Sequence, residues 1–106
     1  DSISFQNEVS KLYQNRFNRK IIYDELSNEG AFSYNIWRLN ESITFFELAN
    51  KLYTDSLDTY INLGMAYRRN ESYIKAKNIF EKGQILNPTD EFLEEKIKEM
   101  DLKIKL

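Results

Sequence analysis

The chain has 106 residues, fifteen Lys and Arg against seventeen Asp and Glu, and a net charge of −2, with acidic and basic residues intermixed. It contains neither histidine nor cysteine, which removes disulfides, thiolate nucleophiles, the commonest metal ligand and the commonest general base together. The length predicts one domain with room for a single core, and the charge balance argues against a phosphate-binding surface.

Residues 2–22 carry Phe5, Val9, Leu12, Tyr13 and Phe17 as a helical stripe. They read as the second helix of an incomplete upstream repeat, which implies a chain cut from something longer. A rival reading makes SKLYQNRFNRKII the middle of an irregular repeat, with Ser10 as the small crossing residue. Arg16, Arg19 and Lys20 form the densest basic stretch and read as a solvated helix face.

Residues 23–56 and 57–90 are two copies of one pattern. Asp24, Asn28, Gly30, Phe46, Glu47 and Leu52 recur as Asp58, Asn62, Gly64, Phe80, Glu81 and Leu86. The first copy is degraded: Glu29 stands opposite Leu63, Ser33 opposite Tyr67, Ser42 opposite Ala76, and Thr54 replaces Pro88. Trp37 and Leu39 suggest that its first helix runs long, which places its turn at Asn40–Glu41.

In the second copy, Tyr60, Leu63, Tyr67 and Phe80 are large where two helices would interdigitate. Gly64, Ala76 and Gly83 are small where the helices would cross, and Pro88 stops the second one.

After Pro88, Thr89 or Asp90 is placed to cap a last helix, with Glu91, Glu94 and Glu95 near its positive end. Leu93, Ile97, Met100 and Ile104 make one apolar stripe on an otherwise charged helix, as a cap facing water requires. Glu95 and Glu99 stand at helical pairing distance from Lys98 and Lys103.

The positions of small, large and proline residues in 57–90 resemble a tetratricopeptide repeat of about 34 residues. The resemblance covers 23–90, weakly in its first half. It implies an all-α fold: antiparallel helix-turn-helix repeats stacked as a short right-handed α-solenoid. Residues 1–22 would be an N-terminal helix or partial repeat, 23–56 and 57–90 the repeats, and 91–106 a C-terminal capping helix, in one domain.

In that family the first helices of successive repeats line a groove that holds a segment of another protein. Carried over by residue, the second repeat would present Asp58, Ile61, Asn62, Met65, Arg68 and Arg69. The first would present Asp24, Ser27, Asn28, Ala31, Tyr34 and Asn35. Asparagine pairs with a peptide backbone through donor and acceptor, methionine adapts its shape, and arginine forks onto carboxylates. The family's clamp for C-terminal carboxylates is not matched, since only Asn62 fits it. Ser27, Ala31 and Phe92 stand where it wants polar or basic groups, although Lys96 is near.

The expected function is therefore a non-catalytic protein–protein interaction module, a scaffold or adaptor, with structural self-association or inter-domain packing as the alternative. No catalytic residue, metal site, cofactor or nucleic-acid partner is expected. Paired carboxylates fall at helix starts, where capping accounts for them, and there is no phosphate loop or calcium loop. No run is long enough to span a membrane and the N-terminus has no signal-peptide architecture. A leader or lipid anchor removed ahead of Asp1 is compatible with this, and the compartment is left open.

Aromatic residues exceed what the repeat cores consume. Phe45, beside the core residue Phe46, is expected to fill a niche between helices. The other reading has Phe45, Trp37 and Tyr53 share exposed surface as a second interface.

Overall fold

The computed structural model describes residues 2–13 and 19–106, with side chains described for 2–8 and 22–106. The predicted contributions of Val9, Ser10, Leu12, Tyr13, Arg16, Phe17, Arg19 and Lys20 lie outside the described side chains. Every regular element among the described residues is a helix: α1 (Ser2–Tyr13), α2 (Arg19–Asn35), α3 (Leu39–Leu52), α4 (Leu57–Arg69), α5 (Tyr73–Leu86) and α6 (Glu91–Lys105). They form two compact units, Asp1–Tyr53 and Thr54–Leu106.

In the first unit α2 and α3 pair along their length and α1 packs on both. Ile22, Leu26, Leu48, Ala49 and Tyr53 are the buried cluster, and Phe5, Tyr23, Phe45 and Leu52 pack against it. Close approach of α2 to α3 depends on Gly30. A Cβ there would lie under 3 Å from three ring carbons of Phe46, so only a hydrogen fits. Ser42 completes the crossing. It is fully buried, and its hydroxyl donates to the Gly30 carbonyl at 2.9 Å, so the polar replacement for alanine leaves no unpaired group.

The second unit repeats this crossing. A Cβ on Gly64 of α4 would meet the same three ring carbons of Phe80 on α5, again under 3 Å. Phe80 is fully buried, a burial worth roughly 1.5–3 kcal/mol for a side chain of this kind. Leu93 and Met100 bring α6 onto the hairpin with no exposure at all. Gly83 lies where the three helices converge, since a Cβ there would be 3.0 Å from Tyr60 Cβ and 3.5 Å from Leu57 and Leu93 side-chain carbons.

The repetition extends to the backbone. α2 ends when Trp37 takes φ 62°, with Trp37 N–H donating to Tyr34 at 3.2 Å and Arg38 N–H to Ser33 at 2.9 Å. α4 ends with Glu71 at φ 61°, its N–H donating to Arg68 at 3.0 Å and Ser72 N–H to Tyr67 at 2.9 Å. Each is a Schellman closure whose left-handed residue is customarily glycine. Both second helices then start at the same register, with Ser42 N–H donating to Arg38 and Ala76 N–H to Ser72. The first turn therefore lies at 36–38 and α3 begins at Leu39, not after the turn expected at Asn40–Glu41. Trp37 reads as a helix-extending apolar residue, yet its backbone is what closes the helix.

Asp90 caps α6, its carboxylate accepting from Leu93 N–H at 2.9 Å. Of the predicted stripe, Leu93 and Met100 are buried, Ile97 is half-buried and Ile104 is exposed. The surface pairing differs from expectation. Glu94 takes Lys98 at 3.3 Å, Glu99 takes Lys96 at 3.2 Å and Arg68, and Lys103 Nζ lies 5.9 Å from the Tyr73 ring centre.

Candidate functional site

Helical spacing groups the predicted contact residues into stripes before any side chain is considered. On α4, Asp58, Asn62, Met65 and Arg69 follow i, i+4, i+7, i+11 and share one face. Asp58 is exposed, while Asn62, Met65, Arg68 and Arg69 are half-buried. On α2 the positions one period earlier are Asp24, Asn28, Ala31 and Asn35, all exposed, with Ser27 and Tyr34 half-buried on the flank. The structure thus keeps the second set at the surface of the second unit and the first set at the surface of the first.

The opposite side of α4 is core, though not with the expected membership. Leu63, Gly64 and Tyr67 are buried as expected, and Thr59 and Ala66 join them. Tyr60 is only half-buried and its hydroxyl donates to the Thr54 carbonyl at 2.7 Å, which ties the start of α4 to the preceding turn.

α6 adds residues to the α4 face that the carried-over contact set does not include. The positions one period after Asn62 and Met65 are Lys96 and Glu99. Arg68 donates through Nε to Glu99 Oε2, and Lys96 donates to Glu99 Oε1 at 3.2 Å. The Arg68 hydrogen bond is the main cause that holds the Glu99 carboxyl below the ordinary glutamate range, with Lys96 adding to it and partial burial opposing it. Lys96 Nζ also lies 5.3 Å from the Phe92 ring centre. Arg68 is thus engaged inside the unit, so its fork serves first to fix α6 against α4. Nothing in the sequence pattern pairs Arg68 with Glu99, because the contact depends on which helices are neighbours.

A second tie runs between α5 and α6. Lys77 meets Asp101 at 2.6 Å, and that hydrogen bond raises the Lys77 pKa. Chemically the α4–α6 face therefore presents an amide, a thioether, an aromatic ring and three charges held in a network. Such groups can donate and accept hydrogen bonds and form ion pairs. Among the described residues no group of three or more acidic, histidine or cysteine side chains is placed to hold a metal ion, and no helix is long and apolar enough to cross a membrane.

The proposed second interface does not assemble. Tyr53 is buried, its ring edge-on to Tyr23 at 5.0 Å, and Phe45 packs edge-on against Phe5 at 5.2 Å. Phe45 fills the niche between α1 and α3, and Trp37 is exposed in the turn. Open recesses occur elsewhere, one of about 300 Å³ beside Phe5 and Phe45 and one of about 400 Å³ beside Tyr73 and Ile104. Compared with protein-family models and with curated proteins, the sequence matches none of them.

Proposed function

We propose that this chain is a protein-interaction module of the tetratricopeptide kind, which captures an extended or helical segment of another protein on the first-helix faces of its repeats. One observation carries the reading. Two hairpins share glycine–phenylalanine crossings and helix closures at a spacing of about 34 residues, the period of that family. Stacked hairpins of this kind form a right-handed solenoid closed by a final helix, here α6, and leave their first-helix faces to solvent.

Within that reading Asn62 and Met65 are the central contacts, Asn28, Ala31, Tyr34 and Asn35 serve the first repeat, and Asp58, Arg68 and Arg69 set the charge. A rigid groove of this kind loses little ordering entropy on binding. The role is non-catalytic and needs no cofactor. Selecting displayed random peptides against the intact chain tests it. Recovered peptides should lose at least tenfold in affinity for an Asn62→Ala, Arg69→Glu double variant and keep full affinity for Lys82→Glu on α5. Equal binding to both variants would refute the assignment of the site.

A further inference from the structure

One face of α2 departs from the repeat, and it departs in a chemically specific way. Glu25, Glu29, Phe32 and Ile36 follow i, i+4, i+7, i+11 and lie on one stripe, distinct from the Asn28 stripe. One period later, the corresponding α4 residues Thr59, Leu63 and Ala66 are buried. On α2 both glutamates are exposed, Phe32 is 61% exposed and Ile36 43%. Two carboxylates cannot replace Thr59 and Leu63 in a dry contact, because an unpaired buried charge is too costly. Their chemistry selects a cationic and apolar counterpart.

The chain carries such a counterpart. On the outward face of α6, Lys98, Leu102 and Lys105 follow i, i+4, i+7, and Leu102 is 67% exposed. We propose that this α6 stripe docks on the α2 stripe of a second copy of the chain, head to tail. Laid parallel, the helices match in order. Lys98 falls beside Glu25 and Glu29, Leu102 meets Phe32 and Ile36, and Lys105 approaches the negative C-terminal end of α2. Lys98 now pairs with Glu94 at 3.3 Å across a well-exposed surface, a pairing weak enough to exchange.

Two single-helix stripes make a small interface, so the association is weak and transient. The two surfaces differ, so the contact is heterologous and a pair of copies retains one vacant stripe of each kind. Assembly therefore does not stop at two copies. This surface uses none of the residues assigned above to partner capture, and either proposal can fail alone.

Sedimentation of the intact chain over a series reaching the order of 1 mM, the regime of a weak interface, tests it. The average mass should climb from 12.7 kDa past that of a dimer, and less steeply at 1 M salt, where the Debye length falls to about 3 Å. Phe32→Asp should hold the chain at monomer mass. Glu29→Lys and Lys98→Glu should each weaken association at least fivefold, and mixing the two variants should restore it, because each supplies the stripe the other needs. Helicity by circular dichroism verifies that these surface variants fold. Monomer mass throughout, a plateau at the dimer, or no recovery on mixing would overturn the proposal. Asn62→Ala should leave the mass profile unchanged.

Discussion

Gly64 and Phe80 touch so closely that the ring of one occupies the space a methyl group on the other would need. Gly30 and Phe46 stand in the same relation in the first unit. Alanine is the better helix former by about 1 kcal/mol, yet inserting its Cβ against a fully buried ring costs about 1–3 kcal/mol. Gly64→Ala should therefore lower the stability of the second unit in denaturant unfolding. Adding Phe80→Leu, which vacates ring space, should recover part of the loss. A stabilised Gly64→Ala would mean that the crossing is looser than described.

Trp37 and Glu71 hold left-handed backbones, which cost an L-residue roughly 1–2 kcal/mol relative to glycine. Glu71 is exposed at the tip of its turn. Replacing it with glycine should stabilise the α4–α5 hairpin by about 0.5–1 kcal/mol, part of the relief being offset by the freer unfolded chain. The midpoint of urea unfolding measures this, and a drop would show that the Glu71 side chain contributes more than its backbone costs.

Glu99 joins α4 to α6 through Arg68 and Lys96. Its folded pKa lies below its unfolded value, so its contribution is present above about pH 4.3 and is lost as pH falls through the folded value. Because the groups are partly exposed, Glu99→Gln should cost only ~0.5–1 kcal/mol at pH 7. The gap between variant and parent should narrow steadily below pH 4. A gap independent of pH would assign the effect to packing.

Ser42 is buried and donates to the Gly30 carbonyl. Ser42→Ala restores the residue of the second repeat and should change stability by less than about 1 kcal/mol, since Gly30 keeps its helical partners. Ser42→Val adds branched volume at the crossing and should cost about 1–3 kcal/mol. Thermal unfolding of the pair distinguishes the size requirement from the hydrogen bond.

The repeat was legible because glycine opposite phenylalanine is a size relation, and size survives in a sequence. Gly30, Phe46, Gly64 and Phe80 led directly to four helices, and Asp90 with its glutamates led to the fifth. The first turn was not legible, since nothing in Trp37 advertises a left-handed backbone. Ser42 looked like decay, but its hydroxyl satisfies itself locally. The α4 contact set came from the family resemblance carried over residue by residue, whereas the Arg68–Glu99 contact required knowing which helices are neighbours. Phe45 was ambiguous by sequence because its neighbour Phe5 lies on a helix far away along the chain.

The most direct test of peptide capture is residue-resolved. A peptide recovered by selection is titrated into the isotope-labelled chain while backbone amide shifts are followed. The account predicts the largest changes at Asn62, Met65, Arg69 and Lys96, with smaller ones at Asn28 and Asn35. Shifts concentrated instead on the outer face of α5, around Asn78 and Lys82, would contradict it.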